Sequence, residues 1–180
     1  MNALVNPANA LVARAAAQHE PDQYLTFLLG GEMFAIGILY IKEIIDYGQL
    51  TAVPMMPAFI RGVINLRGAV VPVVDLASRF GGKPNEVTRR SCIVILELSV
   101  EEETQVIGVV VDAVNEVLEI AAAEIEPAPR FGAKIRTDFI AGMGKVKEKF
   151  VIILDVNKVL SVDEMAKLEM VTQTDASATQ

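Results

Sequence analysis

Few side chains in this 180-residue chain have the type and spacing that catalysis or metal binding requires. The single histidine, His19, lies in an alanine-rich stretch, so histidine-based acid–base chemistry or metal ligation has little support. The single cysteine, Cys92, can form no internal disulfide and has no second thiol for a structural zinc site. Arg89 and Arg90 lie just before Cys92, and nearby cations of this kind can lower the pKa of a thiol and make it reactive. The favoured interpretation is that Cys92 is a small, buried, apolar residue at the start of a strand.

The carboxylates and glycines also have simpler interpretations than chemistry. Asp75 and Asp155 each stand where a strand-like run ends and a helical turn begins, so helix capping is favoured over a catalytic pair. The run Glu101–Glu103 suits a solvated turn better than a cation site. Gly30-Gly31 and Gly81-Gly82 lack the spacing of phosphate-binding loops and indicate turns. The sequence therefore predicts no catalytic residue, no metal site and no cofactor.

Composition narrows the class of protein further. With 52% hydrophobic and 22% charged residues, the chain has enough apolar material for one large domain or two small ones. A net charge of −7 argues against nucleic acid as a partner. The longest apolar runs are interrupted by Asp75, Glu97 and Asp112, so no membrane insertion is expected. Residues 1–22 do not have the pattern of a secretory signal, and a cytoplasmic protein is expected.

Short apolar runs rich in Val, Ile and Phe predict an all-β fold with few short helices. The predicted strands are Tyr24–Leu29, Met33–Ile38, Ile41–Tyr47, Ala69–Val74, Cys92–Leu98, Val106–Val111, Val114–Ile120 and Phe150–Leu154. Gly30–Glu32 and Ser99–Thr104 are predicted hairpin loops, and Pro57–Arg61 and Leu76–Phe80 short helical turns.

The two ends of the chain are set apart from this core. Residues 1–22 form an extension that is predicted to be poorly ordered or weakly helical. A capping-box pattern at Ser161–Glu164 predicts a C-terminal helix through about Met170, within a final segment 161–180 that ends in a polar tail.

The chain repeats itself internally. Residues 59–80 align with residues 139–160, and five of the 22 pairs are identical. Residues 34–45 align with residues 107–118 in the same order. The repeat predicts two similar all-β subdomains, about 24–90 and 91–160, that each have about five strands and share an apolar interface. The extra residues of the second copy fall within 119–138 and predict a projecting loop.

The most informative segment is Phe59–Asp75, FIRGVINLRGAVVPVVD. Two glycines bracket a polar loop between apolar blocks, which predicts a sharp turn with a guanidinium, that of Arg67, at its tip. Pairing of Arg67 with Glu43 is a further possibility. The second copy keeps the apolar frame but has Gly142, Lys145, Lys147 and Glu148 around its turn. A constant frame with a changing tip favours a recognition role for the tip, and a solvated hairpin with incidental charge is the alternative.

These residues resemble the CheW-type coupling proteins of bacterial chemotaxis. PAFIRGVINLRGAVVPVVDL is similar to the family's most diagnostic stretch, and IGVVVDAVNEVLEI, EIEPAPRF and DFIAGMGKVKEKFVIILDVNKVL match later blocks in order. The resemblance covers about residues 22–165. It implies two five-stranded, SH3-like β-barrels packed together within a domain at 23–165. It also implies a non-enzymatic adaptor that holds the histidine kinase CheA to the cytoplasmic tips of chemoreceptors, and therefore recruitment to membrane-associated receptor arrays.

The resemblance also implies a set of binding residues in this sequence. Ile41 and Glu43 are similar to members of the family's binding surface on the first barrel. A receptor-proximal loop and its turn are implied at Arg61, Gly62, Asn65, Arg67 and Gly68. Phe131, in the inserted loop, resembles an aromatic contact with the regulatory domain of the kinase.

Two other functions stay open at this point. A similar adaptor in another chemosensory array, for twitching motility or gene regulation, has the same sequence features. A small enzyme or ligand-binding barrel requires a deep pocket with converging charged groups, whereas a shallow apolar groove does not support one.

Overall fold

The computed structural model describes residues 8–10, 23–48, 50–84, 86–100, 102–128 and 139–160. Strands account for most of the regular structure, and the predicted all-β class with few short helices is confirmed. The strands are β1 Gln23–Leu29, β2 Glu32–Gly37, β3 Ile41–Asp46, β4 Ile60–Leu66, β5 Ala69–Asp75, β6 Cys92–Val100, β7 Glu103–Val111, β8 Ala113–Glu119, β9 Ile125–Glu126, β10 Ile140–Val146 and β11 Lys149–Leu154. The helices are α1 Leu76–Arg79 and α2 Val156–Val159, with 3₁₀ turns at Ile38–Tyr40 and Ala122–Glu124, and residues 8–10 are also helical.

The strands form two sheets. Sheet I has six strands in the order β8-β1-β2-β11-β10-β9, and sheet II has five in the order β3-β6-β7-β5-β4. This pairing differs from the predicted division at residue 90, because β1 and β2 join sheet I while β6 and β7 join sheet II. Residues 24–90 and 91–160 are thus repeat units, each of which contributes its first hairpin to the other unit's sheet. Local apolar patterns predict where strands occur along the chain but not which strands pair. The sequence therefore could not predict that the first hairpin of each unit pairs within the other unit's sheet.

The predicted repeat itself is visible in the strand register. In sheet II, β5 pairs parallel with β7 and places Val73 beside Gly108. In sheet I, β11 pairs parallel with β2 and places Ile153 beside Ala35. These two pairs are related by the same alignments that defined the sequence repeat. The two sheets are therefore copies of one strand arrangement.

Both sheets contribute to one apolar centre. Phe27 stacks on Phe34, with ring centroids 6.0 Å apart, and Phe34 stacks on Phe80 at 5.7 Å. Phe80 in turn lies 6.0 Å from Phe139. The Arg79 guanidinium lies 4.7 Å from the centroid of Phe139, and its Nε donates a 2.9 Å hydrogen bond to the carbonyl of Val159. Because this cluster connects both repeat units, the candidate binding surfaces sit on one continuous core.

Two local predictions had the wrong bounds. The short helical turn predicted over Pro57–Arg61 is limited to one hydrogen-bonded turn, in which the Ile60 N–H donates a 2.9 Å hydrogen bond to the Pro57 carbonyl, and β4 begins at Ile60 and pairs with β5. The loop predicted over Ser99–Thr104 is tighter, because β6 and β7 continue until Val100 lies opposite Glu103. The C-terminal helix predicted from Ser161 lies outside the described residues. In the described part of the chain, no helix has the length and apolar character needed to cross a bilayer.

Candidate interaction surface

The β4–β5 hairpin has the rigid polar tip that the sequence predicted. Leu66 pairs with Ala69, so the turn consists of Arg67 and Gly68, which have φ angles of 52° and 86°. The Gly68 N–H donates a 2.9 Å hydrogen bond to Oδ1 of Asn65, which holds the turn closed. The Arg67 side chain is 72% exposed. A fixed backbone thus presents a solvent-accessible guanidinium.

The predicted contact between Arg67 and Glu43 is present. Nη1 of Arg67 lies 2.6 Å from Oε2 of Glu43, which is on β3. Because β3 and β4 are the two outer strands of sheet II, this ion pair connects the hairpin tip to the opposite edge of the sheet. The structure therefore brings Glu43, Asn65, Arg67 and Gly68 to one surface, which we call the Arg67 surface.

Arg61 lies nearer the base of the hairpin and faces a buried carboxylate. Its Nε is 3.1 Å from Oδ2 of Asp75, which is only 1% exposed. Oδ1 of Asp75 accepts a hydrogen bond from the Ser78 amide and caps α1, as the sequence predicted. Asp155 caps α2 in the same way. Part of the Arg61 charge is thus used inside the fold.

Two residues of the predicted binding set, Ile41 and Gly62, have structural roles. Ile41 is 9% exposed and belongs to the central apolar cluster, so it offers little side-chain surface to a partner. Gly62 is buried with φ of 152°, and a Cβ at this position would lie 2.5 Å from the Thr51 carbonyl oxygen. Glycine is needed there for close backbone approach. Phe131, the remaining member, lies outside the described residues.

Sequence reasoning missed an exposed apolar connector. Leu39, 64% exposed, and Tyr40 form the 3₁₀ turn between β2 and β3. They line a groove of about 560 Å³ together with Ala141 and Asp155. The sequence contained a signal for this connector, because two large apolar residues between strands are not needed for core packing and often mark a contact surface.

Nothing in the described residues assembles a reactive centre. Burial, followed by the charge of Asp46, raises the pKa of the Cys92 thiol, which leaves less of the reactive thiolate at neutral pH. No group of three His, Cys, Asp or Glu side chains suited to a metal occurs in this part of the chain. The only charged residue lining the groove at Leu39 and Tyr40 is Asp155, which is engaged as a helix cap. The arrangement suits protein contacts.

Comparison with known families agrees with this geometry. The family model for the CheW-like domain matches residues 23–164, which include both sheets. The chain belongs to the CheW-like family. It is 35% identical over 164 residues to the chemotaxis protein CheW of Klebsiella aerogenes, a match that covers 91% of this chain and 96% of that protein. It is 34% identical over 140 residues to the chemotaxis protein CheW of Bacillus subtilis, covering 77% and 86% respectively.

The fold is likewise shared with a solved member of the family. The crystal structure of the scaffolding protein TtCheW from Thermoanaerobacter tengcongensis matches with a TM-score of 0.71 and 35% identity. The match covers 79% of this chain and 90% of that one. As a CheW-like protein, the chain is a non-enzymatic chemotaxis adaptor that couples receptors to the histidine kinase CheA.

Proposed function

We propose that the chain connects the cytoplasmic tip of a chemoreceptor to the regulatory domain of CheA through two separate surfaces. On this proposal the protein acts in the cytoplasm and is recruited to membrane-associated receptor arrays. The receptor state then changes kinase geometry because both partners bind one rigid body at the same time. The shared apolar centre of the two sheets supports this rigidity.

The receptor-proximal contact in this proposal is the Arg67 surface. One observation carries it: Arg67 is held in place by Glu43 and by a closed turn, yet its side chain stays largely exposed. An exposed ion pair contributes little to folding stability, so stability alone gives no reason for so ordered a tip. A fixed guanidinium suits orientation and charge matching with a partner. Arg61 contributes from the base of the hairpin, where its side chain is partly exposed.

The kinase contact is proposed for the segment of the chain that follows β9. Phe131, in the segment that follows β9, is the candidate aromatic anchor for the regulatory domain. β9 is one of the two outer strands of sheet I, whereas the Arg67 surface belongs to sheet II. Support for two separate surfaces comes from this placement on different sheets.

Sedimentation with receptor-containing membranes tests the proposal. Purified protein and CheA are mixed with membranes that hold a chemoreceptor, and kinase activity is followed in the pelleted fraction. We expect the protein to bring CheA into the pellet and to make its activity respond to the receptor ligand. Sedimentation of CheA that is unchanged by the protein would contradict the proposed function. The Phe131→Ala variant is expected to bind receptor membranes but to bring down less CheA.

A further inference from the structure

The outer edge of β3 is contacted by a segment from near the start of the chain. Nδ2 of Asn9 donates a 2.7 Å hydrogen bond to the carbonyl of Ile44, and the Ile44 N–H donates a 2.5 Å hydrogen bond to Oδ1 of Asn9. The N–H and C=O of one residue in an antiparallel strand point to the same side. Because β3 is the last strand of sheet II and both Ile44 groups reach Asn9, they face away from β6.

The carboxamide of Asn9 therefore takes the place of a further strand at this edge of the sheet. It satisfies a backbone donor and a backbone acceptor of one residue at once. Residues 8–10 are helical, and Ala8 packs against the apolar cluster to which Ile44 belongs. Asn9 is half-buried, whereas Ala10 is exposed. The edge of β3 thus accepts a helical segment with a carboxamide beside a small apolar side chain.

This contact is adjacent to the Arg67 surface. Ile44 directly follows Glu43 on β3, and Glu43 holds the Arg67 guanidinium. A partner that docks on Glu43 and Arg67 therefore lies next to the N–H and C=O of Ile44, which are hydrogen-bonded to Asn9. The two Ile44 groups point to one side, so a single side chain in that position excludes another.

We propose that the β3 edge is a docking surface for a receptor helix that carries a carboxamide side chain, and that residues 8–10 compete with it from within the chain. This inference rests on the proposed function, because it takes Glu43 and Arg67 as the receptor-proximal surface. The internal contact lowers the apparent receptor affinity by the fraction of molecules in which the edge is covered. Release of Asn9 exposes the surface.

Two substitutions of Asn9 separate the contact from its consequences. Asn9→Ala removes both hydrogen bonds, and Asn9→Asp removes the donor and sets a carboxylate against the Ile44 carbonyl. Ala10→Ser is the matched control, since it changes an exposed neighbour on the same segment. All three are made in the full chain. Each is titrated against a purified chemoreceptor cytoplasmic fragment, and amide hydrogen exchange at Ile44 is measured in the absence of receptor.

We expect Asn9→Ala to speed exchange at Ile44 by about threefold to tenfold, the range that one or two lost hydrogen bonds imply. Receptor affinity should rise by a similar factor in both Asn9 variants and stay within about twofold of wild type in Ala10→Ser. Equal affinity in wild type and Asn9→Ala, with faster Ile44 exchange, would overturn the competition while leaving the proposed function intact. Weaker binding by the Asn9 variants would overturn it by showing that Asn9 assists receptor binding. Absence of receptor binding in every protein, wild type included, would contradict the proposed function, and the inference would fall with it.

Discussion

The hairpins β4–β5 and β10–β11 are two copies of one structure that differ in the charges around them. Each ends in a two-residue turn with positive φ at its first position, 52° at Arg67 and 47° at Lys147. Each is followed by a helix capped by an aspartate, whose amide donates to the carbonyl of Phe59 in one copy and Phe139 in the other, at 2.7 and 2.8 Å. We call the turn, the aspartate cap and this backbone hydrogen bond the shared frame, and we infer that its role is to stabilise the fold.

The two hairpins differ in the charged residues at their bases and tips. Arg61 pairs with the buried Asp75, whereas the corresponding position beside Asp155 is Ala141. The turn residue after Arg67 is glycine, and its counterpart is Glu148. Only the first copy therefore combines an ordered guanidinium at its tip with a second arginine at its base. This contrast between a shared frame and a distinctive first tip agrees with the recognition role proposed for the Arg67 surface.

Removal of the capping aspartates should have the largest and most unequal effect. Asp75→Ala removes a cap and leaves Arg61 without its buried carboxylate, so a loss of about 3 kcal/mol in the free energy of unfolding is expected. Asp155→Ala removes the cap alone, and about 1 kcal/mol is expected. Urea denaturation of both variants measures the difference. Equal losses would show that the Arg61 pair contributes nothing beyond the shared frame.

Gly62 and Gly142 provide the next contrast, since each follows a β-bulge, a shift in strand register after Ile60 in β4 and after Ile140 in β10. An alanine Cβ at residue 62 would lie 2.5 Å from the Thr51 carbonyl oxygen, and φ there is 152°, so Gly62→Ala should cost about 2 kcal/mol. At Gly142 the nearest atom, also 2.5 Å away, is the side-chain Cγ2 of Ile125, the nearest backbone oxygen is 3.1 Å away, and no positive φ adds strain. Gly142→Ala should therefore cost about 1 kcal/mol. Thermal unfolding of the two variants ranks them, and a larger loss for Gly142→Ala would contradict this account of the bulge.

The tip cations should matter least for folding. Arg67 is largely exposed, so Arg67→Ala should change the free energy of unfolding by less than about 0.5 kcal/mol, despite the short contact with Glu43. Lys147→Ala should behave alike, because its side chain also lies at a turn. Denaturation curves that coincide with wild type are the expected result. A loss above about 1 kcal/mol in Arg67→Ala would assign the ion pair a structural role instead.

The sequence was sufficient for the parts of the fold that depend on local chemistry. The eight predicted strands, the two aspartate caps and the turn at Arg67 follow from apolar runs, capping residues and glycine positions, and all are present. The strands β4, β9 and β10 were not predicted, because glycine and polar residues interrupt the apolar runs of β4 and β10 and β9 has only two residues. The contact between Arg67 and Glu43 was also anticipated. The caps, the turn and the strands can be predicted from neighbouring residues. The ion pair requires only that the strand with Glu43 lies beside the hairpin tip.

What the sequence did not show depends on distant partners. The exchange of β1–β2 and β6–β7 between sheets is a matter of strand pairing, which similar Val-rich and Ile-rich runs do not distinguish. The sequence pattern also did not predict that Ile41 is buried while Leu39 is exposed. The bond from Asn9 to Ile44 joins residues 35 positions apart, and an asparagine in an alanine-rich extension has no pattern that points to β3.

Charge reversal at the two hairpin tips tests the central claim most directly. Arg67→Glu and Lys147→Glu are titrated against receptor-containing membranes in parallel, and the bound fraction is measured by sedimentation. We expect Arg67→Glu to weaken receptor binding by about tenfold or more, through lost charge matching and repulsion from Glu43, while Lys147→Glu stays within about twofold of wild type. Equal binding by both variants, or a larger loss in Lys147→Glu, would contradict the assignment of recognition to the first hairpin.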